Sequence, residues 1–263
     1  MIRPGLVSIT FRQFAVEEVC RLAADCGLEG IEWGADIHVP AGQLDIAAHV
    51  AALTRDHGLT VAAYGTYHKL GVADLDDWKR NVETAVELGA RIARVWCGNL
   101  GSAEADEATR NAVVEAGRRA AEVAADAGIT IACEWHGKTL TDSAASAQAL
   151  FDAVDHPAFK TYWQPHQKMR FEDCLVDMDT ALPRLVGLHV FQWDVETVER
   201  HPLKEGGDVW PSYFQKALTC PRLVEEGSEM FALIEFVRDD DPNNLAADAQ
   251  ALKNWLETFN TPG

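Results

Sequence analysis

The sequence predicts an α/β protein that folds as a single (β/α)8 TIM barrel over residues 1–263. Short apolar runs rich in Val, Ile and aromatic residues alternate with longer amphipathic stretches from one end of the chain to the other. There are eight such runs, and strands that are apolar on both faces are typical of a closed parallel barrel. The length of 263 residues is close to the ~250 residues that this fold needs.

The strands are predicted wherever a run of β-branched and aromatic residues is bounded by turn-forming residues. The first four are LVSIT (6–10), GIEWG (30–34), TVAAYGT (60–66) and RIARVWC (91–97). The last four are ITIACEWH (129–136), FKTYWQP (159–165), LVGLHVFQW (185–193) and MFALIEFV (230–237).

The stretches between the strands have the periodicity of amphipathic helices, and many of them end in Gly just before the next strand. A Gly at that position predicts a helix that closes with a left-handed residue. Helices are predicted within residues 16–27, 44–58, 81–90, 106–128 and 244–259. The longest of them, 106–128, has acidic residues at its start, as expected at the positive end of a helix dipole.

A doubly wound open sheet is the alternative architecture for alternating strands and helices. In that fold the first strand is followed by a Gly-rich turn that binds phosphate, whereas here LVSIT is followed by FRQF. The missing turn favours the barrel.

The charge of the chain limits its partners. The sequence has 23 basic and 41 acidic residues, a net charge of −18, so nucleic acid and anionic membranes would be repelled. The first residues, MIRPGLVSITFRQF, lack the features of a secretory signal, and no apolar run reaches the ~18 residues of a membrane span. We expect a cytoplasmic protein with a small-molecule partner. A homo-oligomer is compatible with the sequence, which does not determine the oligomeric state.

Polar residues at the ends of the predicted strands mark the candidate site, because TIM barrels carry their working residues there. The first four strand ends offer a mixed set with no ligand pattern: Thr10, Glu32, His68 and Asn99. The last four offer residues of the types that bind metals: Glu134, Gln164, His166, His189 and Glu235.

Glu134 and Glu235 interrupt runs that should be buried on both faces, so each carboxylate needs a cation. Together with His189 and the amide of Gln164 they could hold one Mn²⁺, Mg²⁺ or Co²⁺ ion, with Mn²⁺ favoured. The alternative is that both carboxylates pair with barrel arginines such as Arg91 or Arg94, and that His189 bonds to the backbone.

The chain resembles the xylose isomerase-like superfamily of TIM barrels, the sugar phosphate isomerase/epimerase group that includes ketose 3-epimerases. The resemblance extends over essentially the whole chain and rests on GLEGIEW, ELGARIARVWCG, CEWHG, GLHVFQWD, HPLKEGGDVW and IEFV. It implies one divalent metal ion held at four positions: Glu134, Gln164, His189 and Glu235.

The resemblance also implies roles for individual residues. Glu134 and Glu235 would exchange the proton on opposite faces of the substrate. His166 would contact a substrate oxygen, although its offset from Gln164 differs by one from the epimerase pattern. Arg200 could match an arginine in the loop after strand seven, at a longer spacing. The other expected substrate contacts are His68, Trp96, His136 and Lys204.

Two departures from the family pattern bear on the site. The epimerases usually carry a further glutamate after strand five, where this chain reads WHGKTLTD and offers His136 and Asp142. Gln164 stands where the family has an aspartate. A neutral amide should lower metal affinity and raise Lewis acidity, so we expect an altered but working metal site. The alternative is that Gln164 only bonds to backbone at a strand end.

These features predict a metal-dependent sugar isomerase/epimerase that abstracts a proton next to the carbonyl of a non-phosphorylated ketose or polyol-type substrate. A lyase of the same superfamily, a dehydratase or a C-glycoside-cleaving enzyme, is the first alternative, because the same enolate can eliminate a β-substituent. A non-catalytic sugar-binding barrel is the second. The superfamily's DNA-repair endonucleases are disfavoured by the acidic charge.

Overall fold

The computed structural model describes residues 1–260, and positions 261 to 263 of the predicted domain lie outside the described residues. Eight parallel strands form a closed barrel in chain order, with β8 paired to β1. The strands are Ile2–Val7 (β1), Gly30–Gly34 (β2), Thr60–Lys69 (β3), Ile92–Trp96 (β4), Thr130–Glu134 (β5), Phe159–Trp163 (β6), Leu185–Val190 (β7) and Met230–Ile234 (β8). The predicted (β/α)8 barrel is confirmed.

Helices surround the strands. They are Val16–Asp25 (α1), Leu44–Asp56 (α2), Leu75–Leu88 (α3), Glu107–Asp126 (α4), Ala144–Val154 (α5), Phe171–Ala181 (α6), Trp210–Ala217 (α7), Pro221–Val224 (α8) and Leu245–Asn260 (α9). Short 3-10 helices occupy Ser8–Phe11, Leu182–Arg184, Leu203–Gly206, Arg238–Asp240 and Pro242–Asn244. Within the described part of the chain, no helix is both long and apolar enough to cross a membrane.

The predicted helix ends are confirmed where they can be checked in detail. Gly89 ends α3 in the left-handed region, with φ 78° and ψ 14°, a conformation that costs a residue with a Cβ more than it costs glycine. At the start of α4 the Asp106 side chain accepts a hydrogen bond from the backbone N–H of Thr109. This N-cap explains the acidic start that the sequence shows.

The first strand lies earlier than predicted. It covers residues 2–7 instead of 6–10, and Ser8–Phe11 turn into a 3-10 helix. The reason is local to Thr10, whose hydroxyl donates to the carbonyl of Ile234 and accepts from the N–H of Phe236. Thr10 therefore joins the chain after β1 to the end of β8, where the barrel closes.

A small apolar cluster is formed by Val7, Ile9, Ala62, Ala63, Ile92, Ala132, Tyr162, Val186 and Leu233. A larger hydrophobic core includes residues of both the strands and the helices. The polar residues at the carboxyl ends of the strands lie at the end of the barrel where this fold carries its working residues.

Replacing Gly187 by alanine is expected to destabilise the barrel. An added Cβ would lie 1.3 Å from a ring carbon of buried Tyr162, so the ring or the strand must move. We expect a loss of about 1–3 kcal/mol or more in the free energy of unfolding, measured by urea denaturation. The matched control is Gly137→Ala, because nothing lies within 4 Å of its added Cβ. Equal stability of the two variants would contradict this packing argument.

Candidate metal centre and active site

Four side chains from consecutive strands meet at the carboxyl end of the barrel. Glu134 is the last residue of β5, Gln164 follows β6 directly, His189 lies in β7, and Glu235 follows β8. Because these strands are neighbours in the closed sheet, their ends bring the four side chains together. Glu134, His189 and Glu235 are buried, and each offers one ligand atom within 4.8 Å of the others.

The atoms around His189 have the spacing of ligands that share one ion. Its Nδ1 lies 3.0 Å from Gln164 Oε1, 3.6 Å from Glu134 Oε1 and 3.5 Å from Glu235 Oε2. Two atoms bound at about 2.1 Å to the same cation lie about 3.0 Å apart when they subtend a right angle. Gln164 thus takes part in the cluster through its side chain, which is also within 3.4 Å of Glu134 Oε1 through Nε2.

A second layer of charged residues fixes the orientation of these ligands. The Nε2 of His189 faces Glu32 Oε2 at 3.1 Å, so Nδ1 points to the centre of the cluster. A carboxylate on the far nitrogen is the usual partner of a metal-binding histidine. Arg94 connects this layer to the cluster, since it donates to Glu32 Oε1 at 2.6 Å and to Glu134 Oε2.

Arg94 reaches Glu32 because the strand between them carries no side chain at that point. Gly65 of β3 lies between β2 and β4, and a Cβ there would be 2.7 Å from the Arg94 guanidinium and 2.8 Å from Glu32 Oε1. Trp96 also donates its indole N–H to Glu134 Oε2. Only Oε1 of Glu134 therefore remains for a ligand at the centre.

The buried charges are not balanced by the protein alone. Three carboxylates, Glu32, Glu134 and Glu235, are at most 5% exposed and face one guanidinium, that of Arg94, at 2% exposure. Two negative charges are left over when His189 is neutral, as it is when it binds a metal ion, and buried charge without a partner is costly. A divalent cation between Glu134, Gln164, His189 and Glu235 would neutralise them. The donor set of carboxylates, imidazole and amide oxygen fits Mn²⁺, Mg²⁺ or Co²⁺.

The pKa shifts reflect the same imbalance. Burial acts to lower the pKa of His189, but the charges of Glu235 and Glu32 raise it well above its ordinary value. Burial acts to raise the pKa of Glu134, but the charge of Arg94 and the hydrogen bond from His189 hold it below the ordinary range. The cluster thus attracts positive charge at His189 Nδ1, where either a proton or a metal ion can provide it.

The sequence also suggested that Glu134 and Glu235 pair with barrel arginines. This alternative is correct for one of the two carboxylates. Arg94 pairs with Glu134, whereas the carboxylate of Glu235 faces His189. The two ideas are compatible, because Arg94 occupies Oε2 of Glu134 and leaves Oε1 free. His189 bonds to side chains instead of the backbone.

The cluster lies at the floor of a cavity of about 1040 Å³. Glu134, Gln164 and Glu235 line it, together with the predicted contacts Trp96, His136 and His166. The rings of Trp96 and His136 stack with centroids 5.1 Å apart and form one wall. Burial lowers the pKa of His166 to about 4, so this ring is neutral near pH 7.

Three predicted substrate contacts do not line this cavity: His68, Arg200 and Lys204. His68 is buried against Trp78 and hydrogen-bonds to Asp77 at 2.8 Å. Tyr67 lines the cavity in its place, because its φ of 56° breaks the alternation of side chains along β3. The Arg200 guanidinium packs 4.1 Å from the centroid of the Phe236 ring and pairs with Asp240. Lys204 lies in the 3-10 helix Leu203–Gly206.

The sequence did not reveal the role of Glu32 or the backbone conformation that turns Tyr67 into the cavity, whereas it indicated Arg94 as a possible partner of the buried carboxylates. A signal existed for Arg94, since a charge inside the apolar run IARVW must be paired when buried. Glu32 was visible as a polar strand end, but its partner lies across the barrel on β7. No local pattern predicts the backbone of Tyr67.

Replacing Gln164 by aspartate is expected to tighten metal binding, because it adds a third anionic ligand to the centre. Affinity for Mn²⁺ should rise by roughly tenfold or more, measured by competition with a chelating dye. The control is Gln167→Asp, which adds the same charge on the exposed part of the same loop without reaching the cluster. An equal gain in both variants would mean that long-range charge, not coordination by residue 164, sets the affinity.

The fold and the site together define a class of protein. It is a (β/α)8 barrel with a cluster of carboxylates and one imidazole at the carboxyl ends of β5 to β8. The sequence profile of the xylose isomerase-like TIM barrel family matches residues 20–258. The chain belongs to this family.

Comparison with individual proteins agrees with the fold. The chain is 25% identical over 167 residues to a 3-dehydroshikimate dehydratase of Bacillus anthracis, and the match spans 59% of this chain and 59% of that protein. The crystal structure of a probable 3-DHS dehydratase of Bacillus anthracis has a TM-score of 0.77 at 20% identity, with 97% of this chain and 99% of that chain covered. The D-psicose 3-epimerase of Clostridium cellulolyticum H10 has a TM-score of 0.70 at 16% identity, with 99% and 100% covered.

Proposed function

We propose that this protein is a divalent-metal-dependent lyase that dehydrates a hydroxy-carbonyl compound of the carbohydrate type, with Glu235 as the base. The observation that carries the proposal is the unequal environment of the two carboxylates at the centre. Glu134 is tied to Arg94 and Trp96, whereas Glu235 ion-pairs with His189 alone among the described residues.

This inequality favours a reaction with one base. Burial acts to raise the pKa of Glu134, but the charge of Arg94 and the hydrogen bond from His189 hold it below the ordinary range, which makes Glu134 a weak proton acceptor. Proton exchange on two faces of a substrate carbon needs two competent carboxylates, and elimination needs only one. Glu235 lines the cavity, and among the described residues its ion pair is with His189 and not with an arginine.

The reaction can be followed through the residues of the chain. A divalent cation held by Glu134, Gln164, His189 and Glu235 would supply the positive charge that polarises a carbonyl and stabilises an enolate. Glu235 takes the proton from the carbon next to the carbonyl, and the electron pair moves into the enolate. The bond from the β-carbon to its hydroxyl oxygen then breaks as the carbonyl and a new C=C bond form. The departing oxygen takes the proton from Glu235, so that water leaves and the carboxylate is restored.

The other residues of the cavity hold the substrate. Neutral His166 can hydrogen-bond to a substrate hydroxyl, and the stacked rings of Trp96 and His136 offer a flat surface to C–H groups. Arg94 and Trp96 keep Glu134 ionised, with its remaining oxygen directed to the centre. The similarity to a 3-dehydroshikimate dehydratase supports this class of reaction.

Epimerisation at the carbon next to the carbonyl is the second candidate. Glu134 and Glu235 both lie within 3.6 Å of His189 Nδ1, from strands β5 and β8 on either side of it, and this arrangement resembles a two-sided centre. The fold similarity to a D-psicose 3-epimerase supports it. Under this candidate Glu134 returns the proton that Glu235 removes.

Metal removal tests the proposal. The chain is stripped with a chelator, reloaded with Mn²⁺, Mg²⁺ or Co²⁺, and incubated in D₂O with 3-dehydroshikimate, D-psicose and D-tagatose. We expect deuterium exchange next to the carbonyl and loss of water only after reloading. Exchange without loss of water would favour the epimerase. Substrate binding that is the same with and without metal, and that is not followed by exchange, would indicate a sugar-binding barrel.

A further inference from the structure

A smaller apolar pocket lies beside the main cavity and is not used by the proposed chemistry. It has a volume of about 100 Å³ and lies between the loop after β6, the loop after β7 and the start of α7. We call it the side pocket. Its walls include Phe171, Val209, Trp210 and Tyr213, which do not line the main cavity.

The side pocket adjoins the main cavity. Met169, Phe191 and Trp193 line both spaces, as does the predicted substrate contact His166. The Phe191 and Trp193 rings lie 4.6 Å apart by centroids, and Trp193 lies 5.9 Å from Phe236, which directly follows Glu235. Aromatic surface therefore leads from the proposed base into the side pocket.

The side chains that line the side pocket indicate which chemical group it can bind. The nearest carboxylate in the wall, that of Asp194, is turned into its own loop, where it accepts from the N–H groups of Glu196 and Thr197. Trp210 is also satisfied, by its N–H donated to the carbonyl of Phe191 at 2.9 Å. Trp193 is different, because its indole N–H is buried and has no hydrogen-bond partner among the described residues. Because that N–H is closed off from solvent, the lining offers a bound group mainly apolar walls, with Gln167, Lys168 and Gln192 as polar residues among them.

The volumes of the main cavity and the side pocket indicate a ligand larger than a single sugar. A closed apolar cavity of ~150 Å³ can hold benzene, so an open pocket of about 100 Å³ can take most of one ring or a branched alkyl group. The main cavity, at about 1040 Å³, is at the upper end of pockets that bind drug-sized ligands. A free monosaccharide would leave much of this space unfilled.

We propose that the side pocket binds an aromatic or branched apolar substituent of the substrate, so that the substrate is a carbohydrate-type compound carrying such a group. The substituent lies against Phe191 and Trp193. The proposal rests on the proposed function for the reacting end of the substrate, and it adds the recognition of the other end.

The first test uses 4-fluorophenol, whose binding to the metal-loaded protein is followed by fluorine NMR. We expect saturable binding that is lost in Val209→Phe, which fills the pocket. Val176→Phe is the matched control, because Val176 is 67% exposed on α6, and it should leave binding unchanged. Binding that survives in a folded Val209→Phe variant would overturn the proposal. If that variant does not fold, Trp193→Ala provides the check, since it removes a ring of the wall and should weaken 4-fluorophenol binding.

The second test compares phenyl and methyl β-D-glucopyranoside as competitors of 4-fluorophenol. The phenyl compound should compete about tenfold more strongly, because only it buries a ring in the side pocket. Equal competition would overturn the proposal. Both tests measure binding, so their outcome is independent of the proposed function. A phenyl preference in a protein without metal-dependent exchange would support the side pocket and refute the lyase. Metal-dependent exchange without a phenyl preference would support the lyase and refute the side pocket.

Discussion

Replacing Glu235 by glutamine is expected to abolish nearly all turnover while the barrel stays folded. Glutamine has the same shape and keeps an oxygen for the metal ion, but it cannot take the proton from the carbon next to the carbonyl. A positioned general base contributes roughly 10²–10⁴-fold to the rate, and we expect a loss of that size in kcat. Proton exchange in D₂O is the sharper measurement, because it reports the first step directly.

The matched control is Glu229→Gln. Glu229 precedes the same strand, β8, at the opposite end of the barrel, where its exposed side chain pairs with Arg3 at 3.0 Å. We expect wild-type turnover from this variant. Metal content must be determined for both proteins, since a Glu235→Gln variant that has lost its metal would be inactive for another reason. A Glu235→Gln protein that retains metal and exchanges at the wild-type rate would show that Glu235 is not the base.

Replacing Arg94 by methionine is expected to cause the largest loss of stability of any single change at the site. The substitution preserves much of the side-chain stem but leaves Glu32 and Glu134 buried without their shared cation. Removing one partner of a buried ion pair typically costs about 3–5 kcal/mol, and here two carboxylates lose it. The free energy of unfolding, measured in urea with metal present, is the quantity to compare.

Two further variants show whether the loss comes from buried charge. Arg21→Met removes an arginine that also pairs with two carboxylates, Glu18 and Asp25, but on the surface of α1. We expect it to leave the free energy of unfolding nearly unchanged, because solvent screens exposed pairs. The double variant Arg94→Met/Glu32→Gln should recover part of the loss by removing one unpaired charge. A double variant no more stable than Arg94→Met would point to lost packing instead.

The charge balance also gives a reason for glutamine at position 164. With Arg94 in the network, three buried carboxylates and one guanidinium match a single divalent cation. An aspartate at this position would leave one negative charge in excess. The neutral amide is thus consistent with a working centre, which is what the Gln164→Asp comparison examines.

Local patterns in the sequence were enough to predict the barrel and the residues of the central cluster. Strand periodicity and alternating helices are local properties, and a parallel barrel places the ends of consecutive strands side by side. Glu134, Gln164, His189 and Glu235 could therefore be grouped before any coordinate was known. Their residue types then indicated a metal ion, since carboxylates inside buried strands require a cation.

The contacts that compensate these ligands and the residues that line the cavity follow from the folded structure and not from local patterns. Glu32 meets His189 across the barrel, and Arg94 reaches Glu32 over Gly65, contacts that depend on strand register and on the inward direction of side chains. Tyr67 replaced His68 at the cavity because of one left-handed residue in β3. The side pocket is built by loops and a helix far apart in the chain. Such features arise from the packing of distant segments, and local sequence patterns carry no information about them.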